Sequence, residues 1–358
     1  MDLRIEPGLL KGTVKPPMSK SLASRAILAS YLYRGEDYDI DPFCDDVQVM
    51  KDAVEVLRNG GSVINCRDCA AALRFLLPVC GALGRTMRFT GSLSLARRPI
   101  SELIDVLRDH GCTIDSNQLP MTISGKLQPG IFRIPGNISS QYISGLLFAF
   151  PLMSSESEIF VSGKLESEGY IDLTQSIIEA KGNVEMEADW SSASYFYAAN
   201  YLGSDIKLEG MNLKSFQPDA KIQKFIKMMG KQIDMSQTPD LVPALAVAAL
   251  GKVDGVTTLT GCGRLRLKES NRIQSVAAMI NGLGGRAEFS SDSIKIYGSK
   301  AISGGIVDTR NDHRVAMAAA IAAQRCIHPV TIKNADCVSK SYPGFFEDLK
   351  ALGGKILG

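Results

Sequence analysis

Six times along the chain an amphipathic stretch of helical period closes on a glycine and turns into a short extended run. The repeats are VEVLRNGGSVI at Gly60, IDVLRDHGCTI at Gly111, QSIIEAKGNVEM at Gly182, KFIKMMGKQI at Gly230, AAMINGLGGRAEF at Gly284 and EDLKALGGKIL at Gly353. A glycine just past the last apolar position of a helix tolerates the left-handed C-cap, and β-branched residues after it favour a strand. The pattern predicts an outer, half-buried helix followed by a strand in every repeat.

Each repeat carries a second helix that is apolar on nearly every face: SKSLASRAILASYL, DCAAALRFLLPVCGAL, ISSQYISGLLFAFPLM, SSASYFYAANYLG, PDLVPALAVAALG and NDHRVAMAAAIAAQ. A helix without a polar stripe must be buried. The expected fold is therefore α/β (α+β): six helix–strand units, three per domain, with internal helices surrounded by sheets. Extra alternating strands appear in the third and sixth units (TIDSNQLPMTISG with FRIPG; AEFSSDSIKIYG with GGIVDTR). The second, fourth and fifth units pass almost directly from glycine to buried helix through GGSVINCRDC, GNVEMEADWSS and GKQIDMSQTPD, so these three are trimmed and should have thinner sheets.

Length and charge narrow the function classes. A chain of 358 residues suits about two domains with ample core. Forty Lys plus Arg against 38 Asp plus Glu leave +2, which excludes a protein that holds nucleic acid by bulk charge. The start, MDLRIEPG, lacks a basic segment leading into an apolar run, so the eight cysteines are expected as reduced thiols in a cytoplasmic protein. Cys66 and Cys69 have metal or redox spacing, yet there is no second CxxC or HxxxH and only three histidines, so no metal site is expected. The longest uncharged run, 134–155, holds two prolines, an asparagine and a glutamine and is too polar to span a bilayer.

The candidate chemistry gathers where the buried helices begin. Ser19, Lys20 and Ser21 precede the first, Ser139, Ser140 and Gln141 the third, Ser191 and Ser192 the fourth, Asp240 the fifth, and Asn311, Asp312, His313 and Arg314 the sixth. Helix N-termini present unpaired N–H groups and partial positive charge to anions. Plain capping accounts for Ser191 and Asp312. It does not account for Lys20, Arg25, Arg74, Arg98, Lys268, Arg272, Arg314 and Lys340, cations set at or near element starts. Cations opposed to a helix dipole gain when an anion lies between them, so the set points to a site for two anionic substrates.

In these motifs the chain resembles the 5-enolpyruvylshikimate-3-phosphate synthase (3-phosphoshikimate 1-carboxyvinyltransferase) family: PPMSKSLASRA, ALRFLLP, ARRPI, GNISSQYISGLL, SEGYID, SSASYF, PDLVPALA, LRLKESNRI, NDHRVAMA and SKSYPGFF, in order over the whole length. The resemblance implies a two-globe inside-out α/β barrel and transfer of the enolpyruvyl group of phosphoenolpyruvate to the 5-hydroxyl of shikimate 3-phosphate. It implies no metal or organic cofactor, and a cytoplasmic monomer whose partners are the two substrates. Its shikimate 3-phosphate contacts fall on Lys20, Ser21, Arg25, Ser139, Ser140, Gln141, Ser167, Tyr170, Asp240 and Lys268. Its phosphoenolpyruvate contacts fall on Lys20, Ala70, Arg98, Gln141, Glu269, Arg272, Arg314 and Lys340. Catalysis falls to Asp240 as base, with Glu269 and Lys20 in proton delivery. The family's domain split implies one domain of residues 1–13 plus 211–358 and a second of 14–210. An enolpyruvyl transferase of UDP-N-acetylglucosamine would begin with a KN motif in place of KSxxxR. A non-catalytic anion-binding protein would not need Asp240 and Glu269 beside its cations.

Three departures stand out. The chain is several dozen residues shorter than typical members. Where members read NxGTxxR this chain reads DCAAALR, which puts Ala70 at the glycine and a methyl toward the phosphoenolpyruvate pocket, so the bulkier inhibitor glyphosate should bind weakly. Arg264 stands where some members have an asparagine that touches the shikimate ring.

Overall fold

The computed structural model describes residues 1–357. The chain runs through β1 (Leu3–Ile5), β2 (Lys11–Val14), α1 (Lys20–Arg34), α2 (Asp45–Arg58), β3 (Val63–Asn65), α3 (Ala70–Ala82), β4 (Met87–Thr90), α4 (Leu93–Ala96) and α5 (Ser101–Asp109). There follow β5 (Cys112–Ile114), β6 (Met121–Gly125), β7 (Ile131–Pro135), α6 (Ser140–Ala149), β8 (Glu158–Ser162), α7 (Glu168–Glu179), α8 (Trp190–Tyr201) and β9 (Asp205–Leu208). The remainder is α9 (Ile222–Phe225), β10 (Gln232–Asp234), α10 (Val242–Leu250), β11 (Val256–Thr260), α11 (Arg272–Gly282), β12 (Arg286–Phe289), β13 (Ser293–Tyr297), β14 (Gly305–Asp308), α12 (His313–Ala322), β15 (Val330–Lys333), α13 (Phe345–Ala351) and β16 (Ile356–Leu357).

The glycine caps form as the pattern predicts, though among the described residues no strand follows Gly182. Gly60, Gly111, Gly182, Gly230, Gly284 and Gly353 all have left-handed φ, between 70° and 91°. Only the fourth outer helix is broken, into the 3₁₀ turn Pro218–Lys221, the single α turn α9 and the 3₁₀ turn Ile226–Met228. The stretch starts at Pro218, which lacks a backbone donor, and carries Lys221, Lys224 and Lys227 at every third position. The six apolar helices α1, α3, α6, α8, α10 and α12 are buried along most of their length.

Two compact units result, Lys20–Met186 and a discontinuous one of Met1–Ser19 with Glu187–Gly358. The boundary differs from the expected 1–13 plus 211–358 against 14–210. Residues 14–19 and 187–210 lie with the discontinuous unit, because α8 packs on α10 and α12 with Trp190, Tyr195 and Phe196 fully buried in that unit's core. The two chain passages run side by side within it: Ser19 N–H donates to Glu187 O at 2.9 Å and Asp189 N–H to Pro17 O at 2.8 Å. Each unit thereby holds three buried helices, α1, α3 and α6 in one and α8, α10 and α12 in the other.

Trimming acts on other sheets than expected. β3 and β10, which follow the short links after Gly60 and Gly230, sit at the edges of full four-stranded sheets, ordered β3-β4-β6-β5 and β10-β11-β13-β12. Each pairs in parallel with the strand after the next buried helix, so a minimal link suffices. A third four-stranded sheet is ordered β14-β15-β1-β16. The thin sheets are the parallel pairs β2-β9 and β7-β8. After Gly182 the segment 183–186 forms no strand among the described residues.

Candidate active site

In the discontinuous unit the starts of α10, α11 and α12 bring three cations and three carboxylates together. Asp240 lies in the 3₁₀ turn Pro239–Leu241 that leads into α10, a turn started by the preset φ of Pro239. Lys268 and Glu269 end the segment after the 3₁₀ turn Gly263–Leu267, and Arg272 is the first residue of α11. A guanidinium there opposes the helix dipole and is only 1% exposed, so it must be compensated. Three carboxylates do so. Arg272 Nη1 donates to Asp240 Oδ1 at 2.9 Å, Nη2 to Glu269 Oε2 at 2.6 Å, and Nε to Asp312 Oδ2 at 2.8 Å with Nη2 to Asp312 Oδ1 at 3.2 Å.

Asp240 is the shared acceptor. Arg314 Nη2 lies 3.1 Å from its Oδ2 and Lys268 Nζ 3.6 Å from its Oδ1. Burial alone would raise this carboxyl, but Arg314, Lys268 and Arg272 hold it well below the usual carboxylate range. Burial also pushes the Lys268 ammonium down to about 8 despite Asp240, with the Arg264 and Arg272 charges adding to the push. Asp219, fully buried and accepting from Ser191 Oγ, is raised to about 6 by burial and by the Asp240 charge. Lys340 is buried at the end of the 3₁₀ turn Ala335–Lys340, which packs on α12.

In the other unit the starts of α1, α3, α6 and α7 carry the polar groups. Lys20 Nζ donates to Asp46 Oδ2 at 2.6 Å, with both side chains largely buried. Arg25 donates from Nε to Thr174 Oγ1 at 2.8 Å and from Nη1 to Ser21 O at 2.9 Å, and stands over the Phe75 and Tyr170 rings at 5.0 and 5.9 Å. Burial lowers this guanidinium to about 10. Arg74, buried in α3, reaches Gln141 Oε1 at 2.9 Å, Ser139 Oγ at 3.4 Å and Pro99 O at 2.7 Å. Tyr142 Oη also donates to Pro99 O, at 2.6 Å, and so pins the segment that bears Arg98. Ser139 caps α6 through the Gln141 N–H at 3.3 Å, and Ser140 follows it as the buried first residue. Ser167 holds a left-handed φ of 54° ahead of α7, an unfavourable conformation for a residue with a Cβ and one that recurs at functional sites. Ala70 opens α3 at 5% exposure.

The depth of Arg74 is fixed by Gly145 of α6. A Cβ at that position would lie 2.1 Å from Arg74 O, so α3 and α6 approach backbone to backbone.

The contacts thus gather many of the expected site residues into one cluster per unit, and they add Asp46 and Asp219 and give Arg74 and Asp312 their partners. Of the adjacent Asp45 and Asp46, it is Asp46 that takes Lys20. Arg74, anomalous by its place in an apolar helix, takes Gln141, Ser139 and Pro99 as partners only in the fold. Asp312, read from sequence as a cap, does cap α12 through Arg314 N–H at 3.0 Å but also holds Arg272. Asp219 has no sequence signal. Arg264 is buried and donates Nη2 to Ser236 O at 2.9 Å. The eight cysteines are free thiols and seven are buried. Cys69 caps α3, its Sγ accepting from Ala72 N–H at 3.4 Å, which gives the CxxC a structural use. No helix of the described residues is long and apolar enough to cross a membrane.

The family profile of EPSP synthase (3-phosphoshikimate 1-carboxyvinyltransferase) matches residues 5–185 and 179–349. The 3-phosphoshikimate 1-carboxyvinyltransferase of Clostridium perfringens is 35% identical over 421 aligned positions that cover 99% of either chain, and that of Clostridioides difficile 34% identical over 429. Both alignments are longer than this chain, in keeping with its trimmed units. Among solved structures, EPSP synthase from Acinetobacter baumannii superimposes with a TM-score of 0.76 at 23% identity over all of both chains. The enolpyruvyl transferase NikO from Streptomyces tendae does so with 0.78 at 14% identity, over 99% of this chain and 98% of its own.

Proposed function

The chain belongs to the EPSP synthase family, and from that premise we propose how its residues perform transfer of the enolpyruvyl group of phosphoenolpyruvate to the 5-hydroxyl of shikimate 3-phosphate, with release of phosphate. The observation that carries the reading is the clamp on Arg272: three carboxylates hold one buried guanidinium and leave Asp240 and Glu269 ionisable beside Lys268 and Arg314. A structural ion pair needs one carboxylate. A site that binds two anions and moves protons between them needs several groups of both signs.

Shikimate 3-phosphate is assigned to Lys20, Ser21, Arg25, Ser139, Ser140, Gln141, Ser167, Tyr170, Asp240 and Lys268. Phosphoenolpyruvate is assigned to Lys20, Ala70, Arg98, Gln141, Glu269, Arg272, Arg314 and Lys340. In the addition step the 5-hydroxyl loses its proton to Asp240, its oxygen bonds to the central carbon of the enolpyruvyl group, and the methylene carbon takes a proton delivered by Glu269 with Lys20. The tetrahedral adduct then breaks its bond to phosphate and returns a methyl proton, which restores the vinyl group.

Electrostatics gives the order of events. The surrounding cations keep Asp240 ionised but weakly basic. Phosphate and carboxylate groups that engage Arg272, Arg314 and Lys268 withdraw positive charge from it, so its basicity rises when both substrates are bound. We assign the enzyme to the cytoplasm as a monomer. Coupled phosphate release with both substrates is the test: release that depends on both supports the reading, and release with neither, or only with a UDP-sugar, rejects it. Sedimentation of the purified chain checks the monomer.

A further inference from the structure

Three cations lead up to Glu269, and only Lys268 has a part in the proposed reaction. Arg266 is exposed and donates Nε to Gly263 O at 3.1 Å within its own turn. Arg264 is buried instead, in the 3₁₀ turn Gly263–Leu267 that runs directly into Lys268. A guanidinium loses hydration on burial and is retained where fixed acceptors replace the water. One acceptor is Ser236 O, 2.9 Å from Arg264 Nη2.

Ser236 belongs to the segment that leads from β10 to Asp240. Thr238 N–H donates to Met235 O at 3.0 Å and Leu241 N–H to Thr238 O at 3.1 Å, so the segment is two linked turns and a shift at Ser236 carries through to Asp240. The same segment meets the stretch after β11. Met235 N–H donates to Thr260 O at 2.8 Å, and a Cβ on Gly261 would run into Asp234 Oδ1 and lie 2.9 Å from Ser236 N. The two segments therefore touch at 260–261, are bridged by Arg264, and beyond the bridge present Lys268 Nζ 3.6 Å from Asp240 Oδ1. That distance exceeds hydrogen-bond length, so the pair is not held by a bond of its own. Asp240 is anchored by Arg272 and Arg314, which leaves the placement of Lys268 to the segment that carries it.

We propose that Arg264 is a positioning residue for the transfer reaction: its guanidinium ties the segment bearing Lys268 to the segment bearing Asp240 and so sets the gap between two groups assigned to shikimate 3-phosphate. The role rests on that assignment. Arginine suits it because its planar fork reaches further than the ammonium of lysine and bonds in a fixed direction. The charges around Lys268 make its proton a ruler for the gap. Asp240, on the turn before α10, and the adjacent Glu269 favour that proton, while Arg264 and Arg272 of α11 oppose it. Arg314 of α12 faces the other oxygen of Asp240, at 3.1 Å. If Lys268 recedes from Asp240 with every cation retained, it loses its proton at lower pH. Loosening that merely admits water acts the other way, because hydration favours the charged form.

The test compares Arg264→Lys and Arg264→Met with the parent, as full chains isotope-labelled at lysine Cε. The Lys268 signal is the one absent from Lys268→Arg, and its titration is followed by NMR without substrates. Arg264→Lys keeps the charge and loses the reach, so the Lys268 titration should fall by about half a unit or more. Arg264→Met also removes a cation, so its titration should lie above that of Arg264→Lys. In phosphate-release kinetics both variants should raise KM for shikimate 3-phosphate by about fivefold or more, and by more than KM for phosphoenolpyruvate. A Lys268 titration in Arg264→Lys equal to or above the parent's, or a KM for shikimate 3-phosphate unchanged in both variants, would overturn the proposal. A parent that releases no phosphate rejects the transferase reading instead, and the titration reads the bridge without substrate, so the two failures are distinct.

Discussion

Asp312→Asn isolates the contribution of one buried carboxylate to the catalytic cluster. Asparagine keeps the shape, keeps an oxygen to cap α12 through the Arg314 N–H, and removes the charge opposite Arg272. Asp312 is 0% and Arg272 1% exposed, so water cannot replace the lost partner. Breaking a buried pair by removing one member costs about 3–5 kcal/mol. Arg272 retains Asp240 at 2.9 Å and Glu269 at 2.6 Å, so the lower end applies, about 3 kcal/mol. For a unit of this size that corresponds to a melting temperature lower by roughly 6–12 °C. Asp312→Ala loses the cap as well and should cost about 1 kcal/mol more. The assay is urea unfolding of the parent and both variants, paired with phosphate-release kinetics. Arg272 freed from one side should turn from its assigned anion, so kcat/KM should fall in both variants, including under conditions where each is fully folded. If Asp312→Asn unfolds within about 0.5 kcal/mol of the parent and keeps its kcat/KM, the carboxylate does not hold Arg272 and the clamp reasoning fails.

Lys268 sets an alkaline limit. With its ammonium near 8, deprotonation above that pH should raise KM for shikimate 3-phosphate, and Lys268→Arg, which stays charged, should remove that limb; a flat profile to pH 10, or the same limb in the variant, contradicts this. The stability sign is opposite to the binding sign: between about 8 and the ordinary 10.5 the unfolded chain binds the extra proton, so this group's contribution to stability rises with pH over that window. Gly145→Ala should force α3 from α6 and displace Arg74 from Gln141, costing about 3 kcal/mol in a thermal melt together with a raised substrate KM. A variant as stable as the parent would refute the close approach. Ala70→Gly removes the methyl at the start of α3 and should strengthen inhibition by glyphosate roughly tenfold or more, read as a lower inhibition constant against phosphoenolpyruvate. Equal inhibition of the two forms would remove Ala70 from that pocket.

The repeat was legible in the chain because helix C-caps and burial are local. A left-handed glycine after each outer helix and an inner helix with no polar face are written in consecutive residues, and all six of each formed. The cations at helix starts were legible for a related reason, since charge set against a dipole or inside an apolar face is anomalous wherever it appears. What consecutive residues do not carry is which partner each anomaly meets. Asp312 reads as a cap until α11 is brought beside α12, Asp46 is one of two adjacent aspartates until Lys20 turns toward it, and Asp219 is silent until burial places its charge near Asp240. The unit boundary was hidden for the same reason. α8 follows the first unit in sequence, but its aromatic side chains fill the core formed by α10 and α12, and only packing could assign it there. The sequence by itself determined the elements and the kinds of charge this protein needs; the tertiary structure alone decided the pairing, because pairing depends on distance across the fold and not on distance along the chain.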